Sequence, residues 1–315
     1  MIKIVNKYSK KIEKLYVEII IDKIERKYKK NRPSLPRVNQ LFEDEFGKFS
    51  YSKIEDLLLN IKFIENPLKY NEKENDEIKK ILDYNSIRST TKKEKSLFGE
   101  AGIKSALIDD LGITVCPYCN RQYINSYYDD NNHKKVTADI DHFRPKSIYP
   151  HLALSLYNFI PSCSICNSRL KQDYEREILY PYVEGFEDDC HFKINNIANS
   201  SSEELLKILR GYSSKEARLE LAINSNCDKK RRKKIENNKK VFKLEKIYQI
   251  HTKRALSERL KKNIFDRDSY YETIKSKVPN LSRLEFENLL FGYTINDNSD
   301  VPLSKLLLDI REESN

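Results

Sequence analysis

From Tyr8 to Tyr28 the apolar positions Ile12, Leu15, Tyr16, Ile19, Ile20 and Ile24 recur with lysines and glutamates between them. Spacings of three and four put them on one face of an amphipathic helix, which "NRPSLPR" should end. "YSKIEDLLLNIKFI" and "NDEIKKILDY" repeat the pattern. "IRSTTKKEKSLFGEAGIKSALIDDLGI" reads as a polar connection and one more short helix. The period then changes. "RQYINSYYDDNNHKKVTADIDHF" has two aromatic and β-branched runs around a polar "DDNNHKK" turn, the pattern of a β-hairpin. "LALSLYNFIPSCSICNSRLKQDYERE" passes from a short strand or loop into a helix that starts near its cysteines. After "ILYPYVEGFEDDCHFKI" the helical rhythm returns. Val241, Leu244, Ile247, Tyr248, His251, Leu256, Leu260 and Ile264 mark one face of a long helix, and another helix is expected at "SRLEFENLLFGY". The pattern predicts a mostly helical α+β chain with no internal repeat. Helical regions over 1–100 and 184–315 flank a small mixed module at 101–183.

Composition narrows this picture. Charged residues make up 34% of the 315 residues and only seven are glycine, which favours helices joined by polar loops over a sandwich or barrel. No apolar run approaches the roughly 20 residues of a membrane span, and the first thirty residues lack the apolar core of a secretory signal. A soluble, cytoplasmic protein is expected. The formal net charge of +10 suits a polyanionic partner, since lysine and arginine that neutralise phosphates release condensed counterions.

Four of the six cysteines stand as two Cys-x-x-Cys pairs, Cys116 with Cys119 and Cys163 with Cys166. In a reducing compartment such pairs read as metal ligands rather than disulfides. Four thiolates close a tetrahedral shell around Zn²⁺ and leave no position for water, so this zinc is structural. The gap between the pairs is 43 residues, 120 to 162, too long for a plain zinc ribbon. Cys190 and Cys227 are expected to be buried, idle thiols.

"TADIDHFRPKS" lies inside that gap. If the strand ending at "DIDHF" packs beside the helix starting at "CSICN", Asp141 and Asn167 offer oxygen ligands to one hard cation, Mg²⁺ or Mn²⁺. His142, whose ordinary pKa lies near neutrality, can take a proton from water. Asp139 alternates with Asp141 on the same strand face and can orient a neighbour. The plainer readings are a hydrogen-bonded structural Asp-His pair and, for Asn158, an ordinary turn residue.

The stretch "CPYCNRQYI…DIDHFRPKS…LYNFIPSCSICNSRLK", roughly 113 to 174, resembles the HNH endonucleases with a ββα-metal fold. The resemblance implies His142 as general base, Asp141 and Asn167 as ligands of the catalytic metal, and Asn158 as the residue holding the histidine's loop. It also implies a four-cysteine structural zinc. Asn167 stands where the family often has a final histidine. The wording is similar to HNH proteins of bacterial anti-phage systems, Septu-type and retron-associated, which often work beside a separate ATPase. A metal-dependent endonuclease acting on DNA is therefore expected. The alternatives are a zinc-stabilised nucleic-acid-binding or adaptor module without catalysis, and an HNH nuclease that cleaves RNA or tRNA.

For phosphate contacts, Lys146 follows the histidine, and Arg169 and Lys171 follow Asn167 on the module's helix, where they would point along a groove. "DKKRRKKIENNKKVFK", 228–243, is the densest basic stretch; on a helix its charges would spread all round, so a solvated face and a DNA-backbone track suit it equally. His133 and His151 are expected to be exposed loop histidines, and His191 and His251 to pack. The twenty tyrosines are taken as packing residues.

Overall fold

A computed structural model describes residues 1–85, 97–98, 102–174, 177–195, 201–210, 217–265, 268–292 and 300–313. Part of the polar connection expected before the cysteines, 86–96 and 99–101, lies outside the described residues. The chain is α+β and mostly helical, and it divides into two compact units. One comprises Ile4–Cys116 and Tyr123–Glu175; the other comprises Met1–Lys3, Pro117–Gln122 and Arg176–Asn315.

The first unit begins with α1 (Lys10–Lys30). Ser9 caps it by accepting from the Ile12 N–H, Glu13 lies in its first turn, and Lys27, Lys29 and Lys30 lie in its last. Its apolar stripe is the expected one, with Tyr16, Ile20 and Ile24 buried. Short helices follow as α2 (Pro36–Phe42), α3 (Tyr51–Leu59), α4 (Lys62–Glu65), α5 (Glu72–Ile81) and α6 (Gly102–Leu111). Ser50 caps α3, and α5 carries a capping box in which the Asn71 and Glu74 side chains each bond the other's backbone N–H. Packing of α3, α5 and α6 against α1 buries its stripe.

Strands β1 (Ser126–Tyr128) and β2 (Lys134–Val136) form the hairpin, with Tyr127 opposite Lys135. Its turn is held by Asp129, whose Oδ1 accepts from the N–H groups of Asn131 and His133. The hairpin ends earlier than the pattern suggested. "DIDH" is a separate strand, β3 (Asp139–His142), antiparallel to β4 (Phe159–Ser162), with Asp141 opposite Ile160 and His142 opposite Phe159. The next segment, Ile165–Lys171, is wound as a π-helix and packs on β3. Such turns are rare and often sit at functional sites.

The second unit contains a hairpin that helical expectations passed over, β5 (Cys190–Asn195) with β6 (Arg218–Ile223), linked through α7 (Ser202–Leu209). Cys190, Phe192 and Ile194 face inward and alternate with half-buried His191, Lys193 and Asn195. The long helix expected from Val241 onward is broken. Helix α8 (Lys229–Val241) stops at Phe242, and Lys243 takes a left-handed conformation at φ 48°. Then come α9 (Leu244–Tyr248), a 3-10 turn and α10 (Thr252–Phe265). The break lets Phe242 turn inward to stack on Tyr118, centroids 4.6 Å apart. Helices α11 (Asp268–Lys275), α12 (Arg283–Phe291) and α13 (Ser304–Glu312) complete the unit. Asp309 of α13 accepts from the Phe192 N–H of β5 at 2.8 Å.

Candidate metal centre and histidine site

Cys116, Cys119, Cys163 and Cys166 are all buried, and their sulfurs lie within 4.8 Å of one another. Thiolates at about 2.3 Å from one tetrahedral ion would stand about 3.8 Å apart, so the four residues fit a zinc-like ion. The Cys166 N–H donates to the Cys163 sulfur at 3.4 Å, closing the second knuckle. Among the described residues this is the one group of three or more histidine, cysteine, aspartate or glutamate side chains arranged to hold a metal. Cys190 and Cys227 stand apart as buried thiols, and burial pushes the Cys190 thiol up to about 12.

Strand β3 and the π-helix form a polar layer beside this cluster. Asp139 and Asp141 alternate along the strand; Asn167 and Lys171 are four residues apart on the helix. The Asn167 amide donates to Asp139 at 3.4 Å, and the Lys171 ammonium donates to Asp141 at 3.1 Å and to the His142 carbonyl at 2.7 Å. Lys171 is thus buried within the layer and does not track an exposed groove, which corrects its expected place. The spacing from Asn167, which puts both residues on one side of the helix, was the signal for this. Asp141 and Asn167 bring oxygen donors that suit a hard divalent ion. The Asp141 carboxylate is already paired with the Lys171 ammonium, which any ion held there would have to displace.

His142 closes β3 and is nearly buried. Its ring meets the rings of Tyr84 and Phe159 edge-on, with centroids 4.6 and 5.3 Å away. Nε2 lies 3.0 Å from the Ala153 carbonyl oxygen. A carbonyl can only accept, so Nε2 carries the proton and Nδ1 keeps its lone pair. Burial lowers the pKa to about 4, the bond to Ala153 partly opposing this, while Lys146 and Lys171 lower it further. The imidazole is therefore neutral at pH 7, as a proton acceptor must be, but a weaker base than the near-neutral one expected from the sequence.

Asn158 is wholly buried and ties down the loop after the histidine. Its Oδ1 accepts from the Arg144 N–H at 2.7 Å, and its Nδ2 donates to the carbonyls of Arg144 and Leu152. The Lys146 ammonium lies 4.5 Å from the centre of the Tyr84 ring. Tyr84 thereby links the lysine to the histidine, and nothing in the sequence pattern pointed to it. Arg169 is exposed.

The remaining histidines divide. His133 is exposed and near Asp129, while the Arg121 Nε donates to His251 at 3.0 Å. His191 is half-buried. His151 is not an exposed loop residue: it is fully buried against Tyr70 and Tyr149, and neither ring nitrogen has a hydrogen-bond partner among the described residues. That burial lowers its pKa to about 4.

No protein-family model matches the chain, and no solved structure does. Among curated proteins it is similar to the Septu protein PtuB of Bacillus thuringiensis, 32% identical over 74 residues, which are 24% of this chain and 25% of that protein. The alignment thus spans about a quarter of the relative's length. Among the described residues, no helix is long and apolar enough to cross a membrane.

Proposed function

We propose that this chain is a metal-dependent HNH-type endonuclease, hydrolysing nucleic-acid phosphodiester bonds, DNA in preference to RNA, as the effector of an anti-phage defence system. The observation that carries the reading is His142: a neutral imidazole with Nε2–H fixed on a backbone carbonyl and Nδ1 free to accept. Nδ1 takes the proton of a water as its oxygen attacks phosphorus, and the P–O bond to the leaving oxygen breaks. Asn158 keeps the loop, and so the Ala153 carbonyl, in place while this happens. Mg²⁺ or Mn²⁺ held by Asp141 and Asn167 would stabilise the charge developing on the scissile phosphate. The four-cysteine zinc gives the hairpin and π-helix a rigid base. The similarity to a Septu protein supports the defence context; a separate ATPase is the partner that the resemblance to anti-phage HNH proteins implies. The Asp141–Lys171 ion pair favours a second reading, a zinc-stabilised nucleic-acid-binding module whose Asp-His pair is structural.

Nicking of plasmid DNA with added Mg²⁺ or Mn²⁺ separates these. His142→Ala is expected to lower cleavage by roughly a hundred- to ten-thousand-fold, on the order of 3–5 kcal/mol of barrier, with zinc content and folding unchanged. A wild type that binds DNA yet never cuts it across a Mn²⁺ titration, alone or with its ATPase partner, overturns the nuclease reading.

A further inference from the structure

The basic stretch at 228–243 looked, as a sequence, like a helix charged on all sides. Apart from the exposed Lys230, the structure sorts its cations into two groups. Arg231 is enclosed by Glu184, Glu187 and Asp189; Lys234 pairs with Glu184, and Lys239 with Glu245. Arg232 donates to the carbonyls of Asn224 and Ser225. These cations serve the unit's own packing. Lys229, Lys233 and Lys240 fall on the opposite face at spacings of four and seven, with Glu236 between them, and all four side chains are exposed. The left-handed Lys243 then turns the chain so that Lys243 and Lys246 line one open depression of about 570 Å³ with Lys239, Lys240, Glu236 and Glu245. Lys229, Lys233, Lys240, Lys243 and Lys246 make no side-chain hydrogen bond or ion pair with any described residue.

From this sorting we infer that the stripe Lys229, Lys233 and Lys240, continued by Lys243 and Lys246, binds the phosphate backbone of duplex DNA. Five unpaired ammonium groups against the single unpaired carboxylate of Glu236 make a positive track. From Lys229 to Lys240 it runs roughly 16 Å, at 1.5 Å per helical residue. About five phosphates of each strand lie alongside that length of duplex. Flexible lysines that present point charges and no fixed hydrogen-bonding fork suit a backbone read without regard to sequence. The charge would suit any polyanion; the choice of DNA rests on the proposed nuclease reading.

The test uses the full chain and a labelled 30-base-pair duplex, with binding read by fluorescence anisotropy across a salt series without added divalent cation. Lys229→Gln/Lys233→Gln/Lys240→Gln is compared with wild type and with a charge-matched control, Lys11→Gln/Lys14→Gln/Lys48→Gln. Loss of three phosphate contacts should weaken binding at least about ten-fold and make the log–log salt slope shallower by roughly 3. The control should change neither strongly. Equal affinity and slope for the stripe variant, or equal losses in both variants, overturns the inference, as does at least ten-fold tighter binding of duplex RNA. Cleavage plays no part in the readout, so failure of this track and failure of the nuclease reading are separate results.

Discussion

The two Cys-x-x-Cys pairs are each followed by asparagine, and the two asparagines do different work. Asn120 is wholly buried in the left-handed region, at φ 49°. Its backbone carbonyl accepts from Leu303 N–H at 2.6 Å, and its Oδ1 accepts from Lys305 N–H at 3.0 Å. Its amide donates to the Ser304 hydroxyl at 3.2 Å. Leu303 occupies the cap position of α13 and has no side chain that can satisfy the helix's free N–H groups. Asn120 supplies that acceptor from more than 180 positions away in the chain. Asn167 sits instead inside a helix, half-buried, with its N–H on the Cys163 carbonyl and its amide on Asp139. The four thiols of the knuckles converge where one ion could be held; the next residue has its place set by whatever lies opposite.

What the pairs share breaks with the largest effect. Cys163→Ser should empty the four-thiol site. Structural zinc in small domains binds with apparent free energies of about 10–16 kcal/mol, and that energy also folds the domain. The variant should lose zinc by elemental analysis and become protease-sensitive between roughly residues 113 and 174. One zinc retained per chain with an unchanged melting temperature would refute the cluster. The next largest effect falls on Asn120. Asn120→Ala removes the distant cap and places alanine at positive φ, together costing about 2–3 kcal/mol in denaturant unfolding. Asn120→Asp, which keeps the acceptor and tolerates that backbone, should recover most of the loss. A change under about 0.5 kcal/mol for alanine would mean the cap carries no weight.

Much of this was legible because it is local. The apolar stripe of α1 and the cysteine spacing are properties of neighbouring residues. The misses came from partners distant in sequence. Lys171 looked like a groove residue until Asp141, thirty positions earlier, took its ammonium. His151 follows a Tyr-Pro turn, the signature of an exposed loop, yet Tyr70 and α5 cover it. The break at Lys243 is silent in a helical wheel, since Val241, Leu244 and Tyr248 keep their spacing. It follows from Phe242 finding Tyr118. The second hairpin did show its period in "CHFKIN", but its partner strand stands beyond an intervening helix, so no tight turn announced it.

Asn167 gives the smallest stability effect and the sharpest contrast. Its amide bond to Asp139 is long, at 3.4 Å, and the side chain is half-buried, so Asn167→Ala should stay within roughly 1 kcal/mol of wild type in denaturant unfolding. Zinc content should be unchanged. DNA affinity should hold as well, because phosphate binding rests on lysine and arginine. Cleavage is where the substitution should tell. With Nδ2 turned to Asp139, Oδ1 is the atom left for a hard cation, and a neutral amide holds such an ion more weakly than a carboxylate. Alanine there should depress nicking strongly and raise the Mn²⁺ concentration needed for half-maximal rate. Asn167→Asp should lower that concentration below the wild-type value. If both variants cut like wild type at every Mn²⁺ concentration, Asn167 is no ligand. The two asparagines would then differ only in what they pack against.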